Sequence, residues 1–274
     1  MLQKILLIIL KMHPSSYQKV KSIYSHLKIR KYLKYNITND LKYNENLLTD
    51  LNLDVKYVKT ILSKLSLIYD DENLSWHYHL FAGFKKKFEE KNIQIGKILE
   101  IGTLNGEFTN FLSKIFPNSE IISIDLDQND NAFTSSYNRN DSKKLSKFLE
   151  VRKKNLDKEN IKFLTMNSLE LDRKFKNNFF DIIWIDGDHL NPQVTIDIFQ
   201  SLKLIKKSGI ICVDDVIKND ENFKDDINSK YVSSDSFQTL EYFNSLKIFK
   251  TKFLIKRIRS SNLDRKKYIS ISSF

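Results

Sequence analysis

The segment Glu100-Ile101-Gly102-Thr103-Leu104-Asn105-Gly106 joins a short apolar run, Ile98–Ile101, to an amphipathic stretch that begins at Glu107. The apolar run has the length of a buried strand, and the stretch after it has helical periodicity. Two glycines at such a junction let the backbone turn sharply and let a ligand approach it closely. The first N–H groups of the helix also favour a negatively charged group. The segment therefore predicts a ligand-binding turn between a strand and a helix.

The alternation of strand and helix continues after Ile93. The predicted strands are Ile98–Ile101, Ile121–Ile124, Ile161–Thr165, Phe180–Ile185 and Ile210–Val213. The helices between them are Glu107–Phe116, Ser142–Val151 and a segment that starts at Pro192, after Asn191. Such an order implies right-handed crossovers, so we expect an α/β fold with a doubly wound, mostly parallel sheet. In the tail, Ser236–Ser245 predicts a helix and Thr251–Ile258 an antiparallel edge strand at the C-terminal side.

The first third of the chain has a different pattern. Apolar residues recur at spacings of three and four in Tyr17–Tyr35, Val55–Tyr69 and Trp76–Glu90, which predicts helices. We therefore divide the chain into an N-terminal helical cap or lid, residues 1–92, and an α/β domain, residues 93–274. The apolar segment Ile5–Leu10 is much shorter than the roughly 20 residues that span a bilayer. We expect an amphipathic first helix there, packed on the body or on a partner.

A carboxylate follows the second predicted strand. Asp125 lies 23 positions after Gly102, where it can accept hydrogen bonds from both hydroxyls of a ribose. Asp127 takes this place if the strand ends later. The glycines follow the spacing Glu-x-Gly-x-x-x-Gly, which resembles the first motif of the class I S-adenosylmethionine-dependent methyltransferases. The resemblance extends over roughly Lys97–Val216 and implies a Rossmann-like domain, an enzyme and S-adenosylmethionine as cofactor.

The same resemblance assigns roles to single residues. Glu100 would hold the amino group of the methionine moiety, directly or through water, and the glycines would flank that moiety. Asp125 would bind the ribose. The turn after the third strand resembles the family's Gly-Asp-Ser turn, which contacts adenine, but Asn167 replaces its acid. The residues expected to contact the cofactor are Glu100, Gly102, Thr103, Gly106, Asp125, Asn167, Ser168 and Asp186.

Further carboxylates end the fourth and fifth predicted strands. Asp186, Asp214 and Asp215 would converge, because the carboxyl ends of parallel strands meet at one edge of the sheet. Three such carboxylates repel one another unless a positive charge neutralises them. Mg²⁺ or a similar divalent cation binds oxygen ligands and can activate a substrate hydroxyl. These residues therefore predict a metal site; the alternatives are a metal-free pocket and a role in ordering the next loop.

The motif Asp186-Gly187-Asp188-His189 is similar to one in the metal-dependent O-methyltransferases of sugars and macrolides. The match gives Asp188 the role of the base that deprotonates the acceptor. His189 takes the position at which catechol-type enzymes carry a catalytic lysine, so it is the other candidate. The alternative is structural: Asp188 would cap the following helix, and His189 would bond to the backbone.

Candidate acceptor residues lie in two other places. Trp76, His77 and His79 form a polar and aromatic cluster just before the α/β domain, where they predict a lid over the acceptor. The alternative is an amphipathic helix with Trp76 in the core. Arg139 lies in the polar loop after the second strand and would pair with a phosphate or carboxylate of the acceptor, unless it is merely solvated.

The net charge of +11 admits nucleic acid or a membrane surface as a partner, although the basic residues are spread along the chain. An RNA methyltransferase is thus one alternative, but the fourth strand lacks the Asn/Asp-Pro-Pro-aromatic loop of amino-group methylases. A cofactor-binding module without catalysis is another. The leading hypothesis is O-methylation of a small hydroxylated acceptor, such as a sugar or metabolite.

The single cysteine, Cys212, excludes an intramolecular disulfide and a cysteine-based zinc site. It suits a reducing compartment, and we expect a cytoplasmic protein. The chain shows no convincing signal peptide and no transmembrane segment, although peripheral membrane contact is possible. Homo-oligomerisation through the N-terminal helices is also possible.

Overall fold

The structure is a computed structural model that describes residues 27, 36–65, 71–136, 139–218, 234–259 and 266–274. Its centre is a seven-stranded sheet in the order β3-β2-β1-β4-β5-β7-β6. The first five strands are parallel, and β7 runs antiparallel to both β5 and β6. This confirms the doubly wound, Rossmann-like α/β fold with antiparallel strands at the C-terminal edge.

The strands agree closely with the predicted runs. They are β1 Lys97–Ile101, β2 Glu120–Asp125, β3 Ile161–Thr165, β4 Phe180–Ile185, β5 Ile205–Val216, β6 Lys250–Ile255 and β7 Tyr268–Ser273. Strand β5 is longer than predicted. It begins at Ile205, which pairs with Phe180, and Lys206-Lys207-Ser208 lies in an irregularity before Ile210. Strand β7 was not predicted, since its serines alternate with isoleucines in a short C-terminal run.

The helices lie on both faces of the sheet. They are α1 over residues 36–50, α2 Val55–Lys64, α3 His77–Glu90, α4 Glu107–Ile115, α5 Asn131–Ser135, α6 Ser142–Leu156, α7 Leu171–Lys174, α8 Gln193–Leu204 and α9 Asp235–Ser245. A 3₁₀ turn, Ser168–Glu170, precedes α7. The segments Tyr17–Tyr35 and Ile5–Leu10, for which helices were predicted, lie outside the described residues, apart from Leu27, which is helical.

Two apolar cores cover the faces of the sheet. One joins Leu48 and Leu62 of the N-terminal helices to Trp184 of β4. The other packs Val194 and Ile198 of α8 against the opposite face. Because the first core runs without interruption from α1 to the sheet, the described part of the predicted cap packs directly on the α/β domain. The division at residue 92 stays a prediction.

Polar contacts join α1 to the far edge of the sheet. Asn44 donates from Nδ2 to the carbonyl oxygen of Ile255 and accepts from its N–H, both at 2.9 Å. Tyr43 donates to the carbonyl oxygen of Phe253. The helix therefore covers the edge strand β6. Within the described part of the chain, we find no helix with the length and apolar character that a membrane span requires.

Candidate active site

The glycine turn lies at the carboxyl end of β1, as predicted. Gly102 has a φ of 95° and Gly106 a φ of 75°, both in the left-handed region that favours glycine. A Cβ on Gly102 would lie 2.3 Å from the carbonyl oxygen of Asp186. The turn therefore packs against the end of β4, which places a ligand at the turn next to the Asp186 segment.

Glu100 is buried beneath this turn. Its Oε2 accepts hydrogen bonds from Thr109 at 2.5 Å and from Ser123 at 2.6 Å. Thr103, also buried, pairs its hydroxyl with Ser123 at 2.6 Å. Burial raises the pKa of Glu100 to about 7, against the opposing effect of the two hydroxyl donors. A cation near this carboxylate, such as the amino group of the methionine moiety, would offset the cost of its burial.

Asp125 ends β2, so it holds the position predicted for the ribose contact. Its Oδ1 accepts from the N–H of Leu126 at 2.8 Å, and its Oδ2 accepts from the N–H of Leu104 at 3.1 Å. Arg152 of α6 donates to the same Oδ2 at 2.8 Å. A carboxylate has about four acceptor positions, so about one remains for a ribose hydroxyl. Asp127 is exposed and bonds within its own turn.

Two arginines and two phenylalanines form a cluster beside Asp125. The guanidinium of Arg139 lies 3.9 Å from the ring centroid of Phe133 and 5.1 Å from that of Phe148. The guanidinium of Arg152 lies 4.9 Å from each of the same two centroids. Arg139, predicted to meet the acceptor or to be solvated, is instead buried on the Asp125 side of the turn. Arg152 lies outside the sequence motifs and was not among the predicted site residues.

The predicted adenine turn follows β3. Asn167 uses its side-chain oxygen to accept from the N–H of Leu169 at 3.0 Å, which caps the 3₁₀ turn. The hydroxyl of Ser168 accepts from Gln193 at 2.7 Å. Gln193 also donates to Asp197, whose pKa burial raises to about 6. The turn is therefore held by local bonds, and the side-chain oxygen of Asn167 already has a partner.

The three predicted metal carboxylates do converge. Burial and the neighbouring charge of Asp214 raise the pKa of Asp186 well above its usual value. Lys256, the residue after β6, donates to Asp214 Oδ2 at 2.5 Å and to Asp215 Oδ1 at 2.6 Å. Lys267 also donates to Asp215. Burial acts to raise the pKa of Asp215, but the two lysines outweigh it and hold that pKa far below its usual value.

A divalent cation does not fit this cluster as it stands. The ammonium group of Lys256 fills the space between Asp214 and Asp215 that the cation would occupy. Among the described residues, no group of three or more His, Cys, Asp or Glu side chains is placed to hold a metal ion. The carboxylates were predicted correctly to converge, but the group that neutralises them is a pair of lysines, which the sequence argument did not include.

The two candidate bases have different surroundings. Asp188 is exposed, and its Oδ1 accepts from the N–H of Leu190 at 3.0 Å. His189 faces the cluster: its Nε2 lies 3.7 Å from Asp186 Oδ1 and 3.8 Å from Asp215 Oδ2. Burial lowers the pKa of His189 despite these carboxylates, so the imidazole is neutral and can accept a proton. The geometry thus favours His189 as the base, whereas the family resemblance favoured Asp188.

The predicted lid residues separate into two groups. Trp76 lies in the core, donates to the carbonyl oxygen of Asp71 and stacks on His79 with ring centroids 4.3 Å apart. His79 bonds to Asp71 at 3.2 Å. His77 instead contacts Trp184, and burial lowers its pKa to about 3 although Asp214 acts to raise it. Of the three, His77 is the residue within reach of the charges of the acidic cluster.

An aromatic wall extends from His77 towards the glycine turn. The ring centroids of His77 and Phe108 are 4.5 Å apart, and those of Phe108 and Trp184 are 5.2 Å apart. Burial raises the pKa of Tyr78 to about 12, so its phenol keeps its proton. These side chains come from α3, α4 and β4. They provide apolar surface close to the charged cluster.

Comparisons with known proteins agree with the architecture of the site. Residues 99–216 match a family model described as a methyltransferase domain. None of the curated proteins matches the chain in sequence. The match spans β1 to β5 and includes the glycine turn, Asp125 and the whole acidic cluster apart from its lysines.

Several solved structures are similar to this chain at low sequence identity. The cofactor-bound Rv0187 from MTB is 18% identical, over 69% of this chain and 77% of its own, with a TM-score of 0.48. A protein assigned as a caffeoyl-CoA O-methyltransferase from Staphylococcus aureus is 16% identical, over 85% and 99%, with a TM-score of 0.46. The spermidine synthase from Thermotoga maritima is 20% identical, over 66% and 54%, with a TM-score of 0.43.

Proposed function

We propose that this chain, whose residues 99–216 match a methyltransferase domain, is a class I S-adenosylmethionine-dependent methyltransferase and that it methylates a hydroxyl oxygen of a small acceptor, such as a sugar or another hydroxylated metabolite. One observation carries the proposal. The neutral imidazole of His189 lies beside the acidic cluster, and the backbone of Asp186 in that cluster touches the glycine turn. A proton acceptor is therefore adjacent to the site proposed for the methyl donor.

Residues of this chain would bind and orient both partners of the reaction. Glu100 would hold the amino group of the cofactor and Asp125 its ribose. When bound, S-adenosylmethionine supplies an electrophilic methyl group: the acceptor oxygen bonds to the methyl carbon as the carbon–sulfur bond breaks, and the sulfur keeps that electron pair. His189 would take the proton of the acceptor hydroxyl.

The carboxylates beside His189 would support this role. Asp186 and Asp215 both lie near its Nε2, so they would hold the ring in place and stabilise the imidazolium after proton transfer. Asp188 is less suited, because its carboxylate accepts a bond from the backbone of Leu190 and is exposed. The aromatic wall of His77, Phe108 and Trp184 would pack against apolar faces of the acceptor.

The first test is thermal unfolding with S-adenosylhomocysteine. A ligand at 100 times its Kd stabilises a protein by about 2.7 kcal/mol, which shifts Tm by about 5–11 °C in a chain of this size. No shift would overturn the cofactor assignment. Transfer of a labelled methyl group to a panel of sugars, phenols, amines and RNA then identifies the acceptor. A methylated nitrogen, or RNA as the sole acceptor, would contradict O-methylation of a small molecule.

The second test addresses the base. Loss of a general base lowers kcat by about 10²- to 10⁴-fold. We expect such a loss in His189→Gln, with the affinity for S-adenosylhomocysteine unchanged. Asp188→Asn is the matched control on the neighbouring residue and should retain most of the activity. If Asp188→Asn loses activity and His189→Gln does not, Asp188 is the base.

A further inference from the structure

Lys256 is fixed at the edge of the acidic cluster by its own backbone. Its N–H donates to the carbonyl oxygen of Lys267 at 2.9 Å, and its carbonyl oxygen accepts from the N–H of Trp76 at 2.8 Å. The side chain is 13% exposed. These contacts hold the ammonium group over the carboxyl end of β5, so its position is built into the fold.

The backbone of β5 is shaped to meet this ammonium group. Neighbouring residues of a regular strand point to opposite faces of the sheet, so Asp214 and Asp215 would normally diverge. The pairing of β5 with β7 shifts register between Val213 and Val216, and Asp215 has a φ of 52°. A bulge of this kind redirects a side chain. As a result, both carboxylates reach the same nitrogen of Lys256.

Two ammonium groups face the carboxylates of the cluster. The Lys256 nitrogen lies 2.5 Å from Asp214 and 2.6 Å from Asp215, and Lys267 also contacts Asp215. Lys256 and Lys267 supply two positive charges. Lys256 uses two of its three N–H donors on Asp214 and Asp215, and no described residue accepts from the third.

We propose that Lys256 is a catalytic residue that takes the place of a divalent cation in this site. The proposal rests on the function proposed above. The third N–H of Lys256 binds the acceptor oxygen and stabilises the negative charge that develops as His189 removes its proton. That charge disappears when the oxygen bonds to the methyl carbon and the sulfur keeps the electrons of the broken bond. Asp214 and Asp215 orient the ammonium group for this contact.

The first experiment measures metal binding to the wild-type protein. We expect calorimetric titration with Mn²⁺, in the presence of S-adenosylhomocysteine, to show no site, and methyl transfer to be insensitive to EDTA. Stoichiometric Mn²⁺ binding that Asp214→Asn abolishes would overturn the proposal, as would loss of turnover in EDTA. Because this measurement uses the intact protein, it does not depend on how any Lys256 variant folds.

The second experiment removes the ammonium group. Loss of one donor to a developing oxyanion lowers kcat by about 10²- to 10³-fold, and we expect that loss in Lys256→Met with the affinity for S-adenosylhomocysteine retained. Lys250→Ala, on the same edge strand, is the matched control and should keep full activity. If Lys256→Met does not fold, the double variant Lys256→Met/Asp214→Asn is used instead, because it removes one charge of each sign.

The outcomes separate this proposal from the proposed function. If S-adenosylhomocysteine does not bind the wild-type protein, the proposed function fails. If it binds and methyl transfer occurs, but Lys256→Met retains full turnover, the role of Lys256 alone is overturned. The wild-type protein should not need Mn²⁺ for turnover. If added Mn²⁺ restores turnover to Lys256→Ala, this would support the proposal that the ammonium group of Lys256 takes the place of a metal ion.

Discussion

Arg152 donates from Nη2 to the Oδ2 atom of Asp125 at 2.8 Å and from Nε to the carbonyl oxygen of Leu104 at 2.7 Å. One side chain of α6 thus joins the end of β2 to the glycine turn. Arg152 is buried, and it lies 27 positions after Asp125 in the chain. The ribose side of the proposed cofactor site is therefore held in shape by a residue outside the motifs that identify the site.

Asp125→Asn should weaken binding of S-adenosylhomocysteine by about 10- to 150-fold. Hydrogen bonds to a charged group contribute about 1.5–3 kcal/mol, and the amide loses that charge and one acceptor. Calorimetric titration measures the effect. Asp127→Asn, two residues later on the exposed side of the loop, should change the affinity by less than about threefold. Equal losses in the two variants would contradict the ribose assignment of Asp125.

Arg152→Met should destabilise the protein by about 1–3 kcal/mol at pH 8, because it leaves the carboxylate of Asp125 without its charged donor. Burial already raises the pKa of Asp125, and Arg152 acts to lower it. Removing Arg152 raises that pKa further, so Asp125 gains a proton more readily in acid and the loss of stability should be smaller at pH 5. Urea unfolding at the two pH values measures the difference. Lys153→Met, on an exposed neighbouring position, is the control.

The sheet was predictable because most of its strands are continuous apolar runs. Glycine and asparagine residues, and segments with helical periodicity, separate these runs. The runs Ile161–Thr165 and Phe180–Ile185 agree with β3 and β4 at both ends. Strand β7 was missed, because Ile269 and Ile271 alternate with buried serines, and buried serine has no clear signal in sequence. Its pairing with β5 comes from tertiary contacts rather than from local preference.

The carboxylates of the site were predictable for a related reason: each one ends a strand, and parallel strands bring their ends together. The lysines that neutralise these carboxylates were not predictable. Lys256 lies 42 positions after Asp214, in a chain with 45 lysines and arginines, so no local pattern distinguishes it from its neighbours. A metal ion was the natural expectation while the lysines were unassigned. The sequence predicts the negative charges of such a site more readily than their partners.

Glu100→Gln should stabilise the protein above pH 7 and have little effect at pH 5. Burial raises the pKa of Glu100 to about 7 in the folded state, from a usual value of 4.5. Between these values the folded protein binds a proton that the unfolded chain does not, so the free energy of unfolding falls as pH rises through the window. The total loss is on the order of 3 kcal/mol. Glutamine keeps an acceptor for Thr109 and Ser123 but never becomes charged.

Urea unfolding of Glu100→Gln and the wild-type protein between pH 5 and pH 8 tests this linkage. Glu107→Gln, at the exposed start of α4, is the control and should give a curve parallel to that of the wild-type protein. S-Adenosylhomocysteine should reduce the pH dependence of the wild-type protein, since its amino group would neutralise the Glu100 carboxylate. A wild-type curve with no fall between pH 5 and pH 8 would show that Glu100 does not titrate in this range.

Gly102→Ala should destabilise the protein and weaken cofactor binding together. The positive φ of Gly102 costs a residue with a side chain about 1–3 kcal/mol. The added methyl group would also lie 2.3 Å from the carbonyl oxygen of Asp186, so the turn and the end of β4 must move apart. Because Asp186 belongs to the acidic cluster, this movement should lower kcat as well as the affinity for S-adenosylhomocysteine.

Gly96→Ala is the matched control, just before β1. Its added methyl group would lie 3.5 Å from Asp181 Oδ2, which is ordinary contact, so we expect a change in stability within about 0.5 kcal/mol. If Gly102→Ala lowers stability but leaves turnover and affinity unchanged in the folded fraction, the glycine serves packing against β4 alone. If all three fall together while Gly96→Ala resembles the wild-type protein, the contact between Gly102 and Asp186 couples the cofactor turn to the catalytic cluster.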